Sequence, residues 1–439
     1  MSSHERPRRR VRIAAAGLCA ALGIGLLAFG GSSGSASAAV AVTVPSPYVG
    51  RVGMNTHEIW GAESGTYTEF NRMARIGVTR TREGFEWRVI EPQRGRFDWA
   101  RTDQLMAAAA RAGIDVLPIL GSPPAWASDH PNGADRFPPA NNSDFASFAK
   151  AVVTRYGDGG TFWASVRPEL SPMPIEAVQI WNEPWSDTYW GPLPDPAGYA
   201  RLVRATGSVV HDVDPEIDVV ISGDLLHTGG GGPIRYWIDE VLRADPGLGS
   251  YFDAYSVHPY PAGSPMTDNA DGRWDFRRVQ LIRQATVARG VPKPIWITEI
   301  GWSTASNAGG VSESTQATYT RQAITRAFDD WPYVERLYVY SYDRDNGNPS
   351  DREGYFGVRH QDGSFKPVWT TLSNMLEPRA VTTSTTVSPT TTRPPTTAPP
   401  STSTTSTTTR PPAAPAVLGP ARLAVRVLGQ VFYFNPAPT

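Results

Sequence analysis

The chain has 439 residues, 40% of them hydrophobic and 10% aromatic, with 14 tryptophans and a formal net charge of −1. That is enough apolar material for one large domain with appendages, and too much for a disordered chain. Five arginines fall in the first twelve residues and four, with no acid, in 380–439. The middle is therefore acidic and poorly suited to a phosphate backbone, so no nucleic-acid partner is expected.

Residues 1–39 have the form of an export signal. Arg6, Arg8, Arg9, Arg10 and Arg12 make a basic start, Ile13 to Gly30 is apolar, and Ala36-Ser37-Ala38 offers small residues for cleavage. The apolar stretch is short for a membrane span, so a secreted or extracellular protein with no membrane contact after cleavage is expected. Cys19, the single cysteine, lies in this leader, which leaves the mature chain without a disulfide.

From Tyr48 to Leu376, strand-like and helix-like segments alternate. Strands are expected at Val49–Asn55, Val78–Arg82, Ile114–Leu120, Ala177–Trp181, Asp218–Ser222, Ala254–His258, Pro294–Thr298 and Leu337–Ser341. Helix-like stretches include Thr102–Ala112, Asp144–Tyr156, Tyr199–Val213, Ile234–Leu242, Phe276–Arg289, Ser314–Asp329 and Lys366–Leu376. Eight strands alternating with helices over this length predict an α/β fold, a (β/α)8 TIM barrel, as a domain over 40–378. An open doubly wound sheet is the rival, but no glycine-rich phosphate loop follows the first strand. Residues 379–415 are a Thr/Pro-rich linker of low complexity, expected to be an extended, O-glycosylated stalk without a packed core. In 416–439 apolar alternation returns around Leu423, Val425, Val427 and Val431–Phe434, too short for a domain of its own.

Two glutamates stand where apolar runs meet turn residues. Glu183 follows Ala177-Val178-Gln179-Ile180-Trp181-Asn182 and precedes Pro184; Glu299 lies in Ile295-Trp296-Ile297-Thr298-Glu299-Ile300-Gly301-Trp302. On strands four and seven of a barrel, such positions open on the face where catalytic groups gather. Paired carboxylates there suit glycoside hydrolysis, one as proton donor and one as nucleophile. The plainer alternative for Glu183 is an acid at a helix N-terminus, satisfied by backbone amides. Arg80 and Arg82 share a strand face and could hold a carboxylate, and His258-Pro259-Tyr260 ends strand six. No His-x-x-x-His or Glu-x-x-His spacing links His227, His258 and His360, so no metal site and no cofactor is expected.

The pair Trp181-Asn182-Glu183-Pro184 and Thr298-Glu299-Ile300-Gly301-Trp302 resembles the retaining glycoside hydrolases of clan A, the group of families 5, 10 and 39. The resemblance covers about 48–376, and Glu91-Pro92-Gln93-Arg94-Gly95-Arg96-Phe97-Asp98-Trp99 is similar to a family 39 pattern. It implies Glu183 as general acid/base, Glu299 as nucleophile and Asn182 as ligand of the sugar 2-hydroxyl. It implies Tyr260, in the His258-x-Tyr260 pair, as hydrogen-bond partner of the nucleophile, and Arg82 as the strand-two arginine, ahead of Arg80. The chain departs from family 5 at Gly121-Ser122-Pro123-Pro124-Ala125-Trp126 and at Tyr340-Ser341-Tyr342-Asp343. Trp126, Trp185, Trp302 and Tyr342 are either sugar platforms or core aromatics. The expected protein is a secreted, monomeric β-glycosidase of oligo- or polysaccharides, with its tail as a contact to the cell wall. The alternative is a non-catalytic carbohydrate-binding protein or wall adhesin built on the same cleft.

Overall fold

The computed structural model describes residues 38–57, 59–226, 235–268, 275–306, 309–385, 423–427 and 430–434. The expected export signal up to residue 37 and most of the Thr/Pro-rich linker lie outside them.

Eight parallel strands close into a barrel. They are β1 (Val52–Asn55), β2 (Arg80–Glu86), β3 (Asp115–Gly121), β4 (Ala177–Ile180), β5 (Asp218–Ser222), β6 (Ala254–Val257), β7 (Ile295–Ile300) and β8 (Val334–Val339). Every neighbour in sequence is a neighbour in space, and β8 closes on β1 through Leu337↔Val52 and Val339↔Met54. After the strands come α1 (Glu63–Arg75), α2 (Ala100–Ala112), α3 (Asn142–Tyr156), α4 (Pro196–Val213), α5 (Trp237–Ala244), α6 (Arg278–Ala288), α7 (Glu313–Thr325) and α8 (Pro367–Leu376). All eight expected strands are present, displaced at their ends by a few residues. Helix α1 was not expected. It buries only Thr66, Phe70 and Met73, an apolar stripe too thin to stand out in the sequence.

Local chemistry sets the helix ends. Asn141 and Ser312 cap α3 and α7 by accepting from the amides of Ser143 and Thr315. Proline opens α4 and α8, where no amide partner is needed. Gly113, at φ 72°, ends α2 in the left-handed conformation that a side chain resists. Leu117, Ala177, Val220, Ala254, Trp296 and Tyr338, one from each of six strands, pack as a cluster separate from the main core. They fill the barrel, which is thus a packed interior and no pore.

Outside the barrel, Ala38–Val44 pairs antiparallel with Arg379–Thr385. The compact unit therefore runs to Thr385, past the expected boundary at 378. The apolar alternation near the C-terminus forms a hairpin of Leu423–Val427 with Gln430–Phe434. Among the described residues no helix is long and apolar enough to cross a membrane.

Candidate active site

The carboxyl ends of the strands converge on Arg82, whose side chain is 1% exposed. Its guanidinium donates to Gln179 Oε1 at 2.9 Å, Asn55 Oδ1 at 2.8 Å, Glu299 Oε1 at 2.6 Å and Asn182 Oδ1 at 2.7 Å. The planar fork suits this role, since it can reach four acceptors on three other strands or their ends without losing its charge. Arg80, two residues earlier on the same face, pairs instead with Asp115 and Glu176. The choice between the two arginines thus falls on Arg82.

Glu299 enters the mouth through a strand irregularity. Strand β7 pairs Ile297↔Leu337 and Ile300↔Val339, so three steps on β7 face two on β8. Thr298 binds Ser256 Oγ at 2.5 Å, and simple alternation would turn Glu299 to the opposite face. The extra residue re-aims it. One carboxylate oxygen then accepts from Arg82 and the other from Tyr260 Oη at 2.9 Å. Gly301 follows of necessity, because a Cβ there would meet the Tyr340 carbonyl at 2.2 Å.

Glu183 is placed by left-handed backbone at the end of β4. Trp181 has φ 66° and Glu183 φ 44°, conformations that cost a non-glycine residue about 1–3 kcal/mol. The turn sends the Trp181 indole outward, against Phe145 and Trp190. The Glu183 carboxyl turns to His258, with Oε1 2.6 Å from Nδ1. Burial, and then the nearby Asp224 charge, raise its pKa to about 7, while Arg82 and Arg278 oppose the rise. Burial also lowers His258 to about 4, so the imidazole is neutral.

Glu183, His258 and Glu299 each bring one donor atom within 4.8 Å of the others. Sequence spacing could not show this grouping, because the three residues come from three strands. Three such atoms could in principle hold a cation, but the Arg82 guanidinium already occupies Glu299. A buried acid beside a neutral imidazole and a carboxylate held by a guanidinium suits proton transfer better than ion binding.

The expected aromatic platforms mostly lie elsewhere. Tyr342 is fully buried, donates to Glu69 Oε2 at 2.6 Å and lies under the Arg359 guanidinium. Trp302 is 4% exposed and donates to the Gly263 carbonyl. Their burial favours the core reading over the platform for both; the sequence could not tell which side of the strand end each would take. Trp126 donates to the Glu91 carbonyl and lines a groove with Arg94, Trp99 and Asp144. Trp185 stands edge-on to His258 with ring centroids 5.5 Å apart.

Other residues take up the mouth. Tyr340, at the end of β8, contacts the rings of Tyr260 and His57 and lies within electrostatic reach of Glu299. His57 Nδ1 is 2.9 Å from Asp343 Oδ2. Asn55 donates to the Thr298 carbonyl while accepting from Arg82. Asp224 accepts from the His258 amide at 2.7 Å and pairs with Arg278, which donates to the His258 carbonyl. Asn55 and Asp224 stand at or just beyond the ends of β1 and β5, so applying the strand-end rule to every strand would have found them.

Comparison with known proteins bears on this geometry. Residues 57–152 match a β-galactosidase family of glycoside hydrolases, and residues 215–362 match a glycosyl hydrolase catalytic core family. A β-galactosidase of Haloferax lucentense is 30% identical over 112 residues, which is 21% of this chain and 17% of that protein. A family 39 glycoside hydrolase from Bacteroides cellulosilyticus WH2 superposes with a TM-score of 0.57 at 20% identity, covering 77% of this chain and 70% of that one. A glucosidase from Croceicoccus marinus gives 0.54 at 14% identity, over 78% and 70%. These two likenesses concern the fold. The two matched segments make the chain similar, over those residues, to two families of glycoside hydrolases.

Proposed function

We propose that the protein is an exported, retaining β-glycosidase that hydrolyses a β-linked oligo- or polysaccharide. One observation carries the reading: two carboxyl groups with opposed surroundings have oxygens within 4.8 Å of each other. Retaining enzymes keep this pair about 5–5.5 Å apart, while inverting ones leave about 6.5–9.5 Å for a water.

In the first step a Glu299 oxygen attacks the anomeric carbon. The bond to the leaving sugar breaks, and the Glu183 proton passes to the departing oxygen. A pKa near 7 keeps that proton available at neutral pH. In the second step Glu183 takes a proton from water, whose oxygen attacks the anomeric carbon and releases Glu299. Arg82 and Tyr260 hold the attacking carboxylate through both steps. Arg82 also occupies the Asn182 carbonyl oxygen, which orients the amide NH2 as donor to the sugar 2-hydroxyl. No metal or cofactor is needed for this chemistry, and the leader sequence supports export.

The test is turnover of β-1,3-, β-1,4- and β-1,6-linked gluco-, galacto- and mannotetraoses, read by mass spectrometry, with the first-formed anomer read by proton NMR. Cleavage with β-anomer released first, lost in Glu183→Gln, is expected. Initial release of the α-anomer would overturn retention. Binding without any turnover would favour a carbohydrate-binding protein.

A further inference from the structure

The loop between β4 and α4, residues 184–195, leaves the acid and is pinned along its length. Ser186 N donates to the Glu183 carbonyl at 3.0 Å, and Trp190 N to the Ser186 carbonyl at 2.8 Å. The Trp181 indole donates to the Tyr189 carbonyl at 2.8 Å. From outside the loop, Arg136 Nε donates to the Thr188 carbonyl, and Gly191 N to the Arg136 carbonyl. Trp190 is 3% exposed between Trp181 and Tyr199. Within this fixed frame Tyr189 alone among the loop's aromatics is open, at 42% exposure.

Its phenol lies within electrostatic reach of Glu183, Glu299, Arg82 and Glu353. It reaches Tyr340 across the mouth in the same way. Burial and the two glutamate charges raise its pKa to about 12, so it remains a neutral ring with a hydroxyl donor. An exposed aromatic held rigid by its backbone loses little entropy when a ligand covers it, which is what a stacking platform requires. Glu183 must face the departing oxygen, so the loop that issues from Glu183 borders the leaving-group side. Leu193, 71% exposed and four residues further along the loop, extends an apolar edge beyond it.

We propose that Tyr189 is a specificity-determining residue, the platform on which the leaving-group sugar stacks, and that it tunes the enzyme for oligosaccharides over small aglycones. This rests on the assignment of Glu183 as acid. The measurement is the ratio of kcat/KM on a tetraose that the wild type cleaves to kcat/KM on the β-glycosyl fluoride of the same sugar, which has no leaving sugar. In Tyr189→Ala this ratio is expected to fall about tenfold to a hundredfold, the value of one covered aromatic face. The loss should appear chiefly in KM for the tetraose, and Tyr189→Phe and Tyr189→Trp should restore most of it. An unchanged ratio, or a Tyr189→Phe as damaged as Tyr189→Ala, would overturn the stacking role.

A second arm needs no turnover. In a Glu183→Gln background, Tyr189→Ala should weaken calorimetric binding of the panel's tetraoses by a similar factor. If the wild type cleaves nothing but Glu183→Gln binds a tetraose through Tyr189, the catalytic reading and the leaving-group role fail together, and Tyr189 is a platform for a bound sugar only. If no tetraose binds with or without Tyr189, the platform fails.

Discussion

Arg80 and Arg82 differ by one turn of the β pleat and little else in sequence. Both point into the barrel from β2. Arg80 lies at the floor, against Asp115 and Glu176, with Arg336 also bound to Glu176. There two cations meet two carboxylates, and each charge is answered locally. Arg82 lies at the mouth, where three of its four acceptors are neutral amides and one is a carboxylate. The floor fixes charges to one another; the mouth fixes one charge, Glu299, and leaves a neighbouring acid, Glu183, to hold or release its proton. The contrast shows that residue type and strand face do not assign a role. What assigns it is the set of partners that the far ends of other strands deliver.

The largest effect expected from breaking this arrangement is at Glu299 itself. Glu299→Ala should reduce kcat by at least about 10⁴-fold, the usual scale for loss of a nucleophile. Azide should then restore turnover and give a glycosyl azide of inverted configuration. The corresponding Glu183→Ala should be rescued with retained configuration, mainly on substrates with good leaving groups. Exchanged outcomes would mean that the acid and nucleophile have been interchanged.

The comparison of the two arginines is sharpened by making the same change in each. Arg82→Lys keeps the charge but cannot reach four acceptors, so kcat should fall about 10²–10³-fold with the fold intact. Arg80→Lys should leave kcat within a factor of about three, and act on stability instead by loosening a partly buried ion-pair network. Thermal melts and kinetics on the two variants decide the matter. Equal kinetic damage from both would erase the distinction between floor and mouth.

Much of this was legible in sequence because strand ends are marked by local pattern. The runs before Glu183 and Glu299 are apolar and β-branched, and both acids are followed within two residues by proline or glycine. Where a buried strand stops is therefore readable, and in a barrel all strands stop at one rim. Facing is harder to read. Alternation alone would have turned Glu299 away, and only pairing with β8 reveals the extra residue that brings it back. Tyr342 looked like a platform because it is aromatic and follows β8, but it packs under Arg359 while Tyr340 takes the mouth. Asp224 could be found as a strand-end residue, but its effect on Glu183 could not be read, because that effect acts through space from another strand.

That through-space effect gives a smaller, directional prediction. Glu183 must be protonated to donate, so kcat/KM should fall as pH rises through about 7. Asp224→Asn removes a negative charge that favours the protonated form and should move this limb toward acid. Stability follows the same sign. The folded pKa of Glu183 lies above its unfolded value, so its contribution is full below about 4.5 and is lost as pH rises through about 7. Glu183→Gln should flatten that decline in melts taken from pH 5 to 8. A limb that stays in place in Asp224→Asn would show that burial alone sets the acid.

The smallest effect belongs to the chain beyond the barrel. Helix α8 ends at Leu376, and the ribbon of Ala38–Val44 with Arg379–Thr385 follows it. A two-stranded ribbon is marginal on its own. A chain ending at Thr385 keeps this pairing and should match the full protein in melting temperature and in turnover of soluble oligosaccharides. One ending at Pro378 loses the pairing but keeps the Ser46 Oγ contact to the Met375 carbonyl, and should melt lower by no more than about 2–4 °C. If the shorter chain fails to fold, the ribbon is part of the barrel's stability. If the longer one loses soluble-substrate turnover, residues beyond 385 contribute to the site. The remaining expectation for those residues is attachment, so binding to insoluble polysaccharide or cell wall should be weaker in both truncated chains than in the full one.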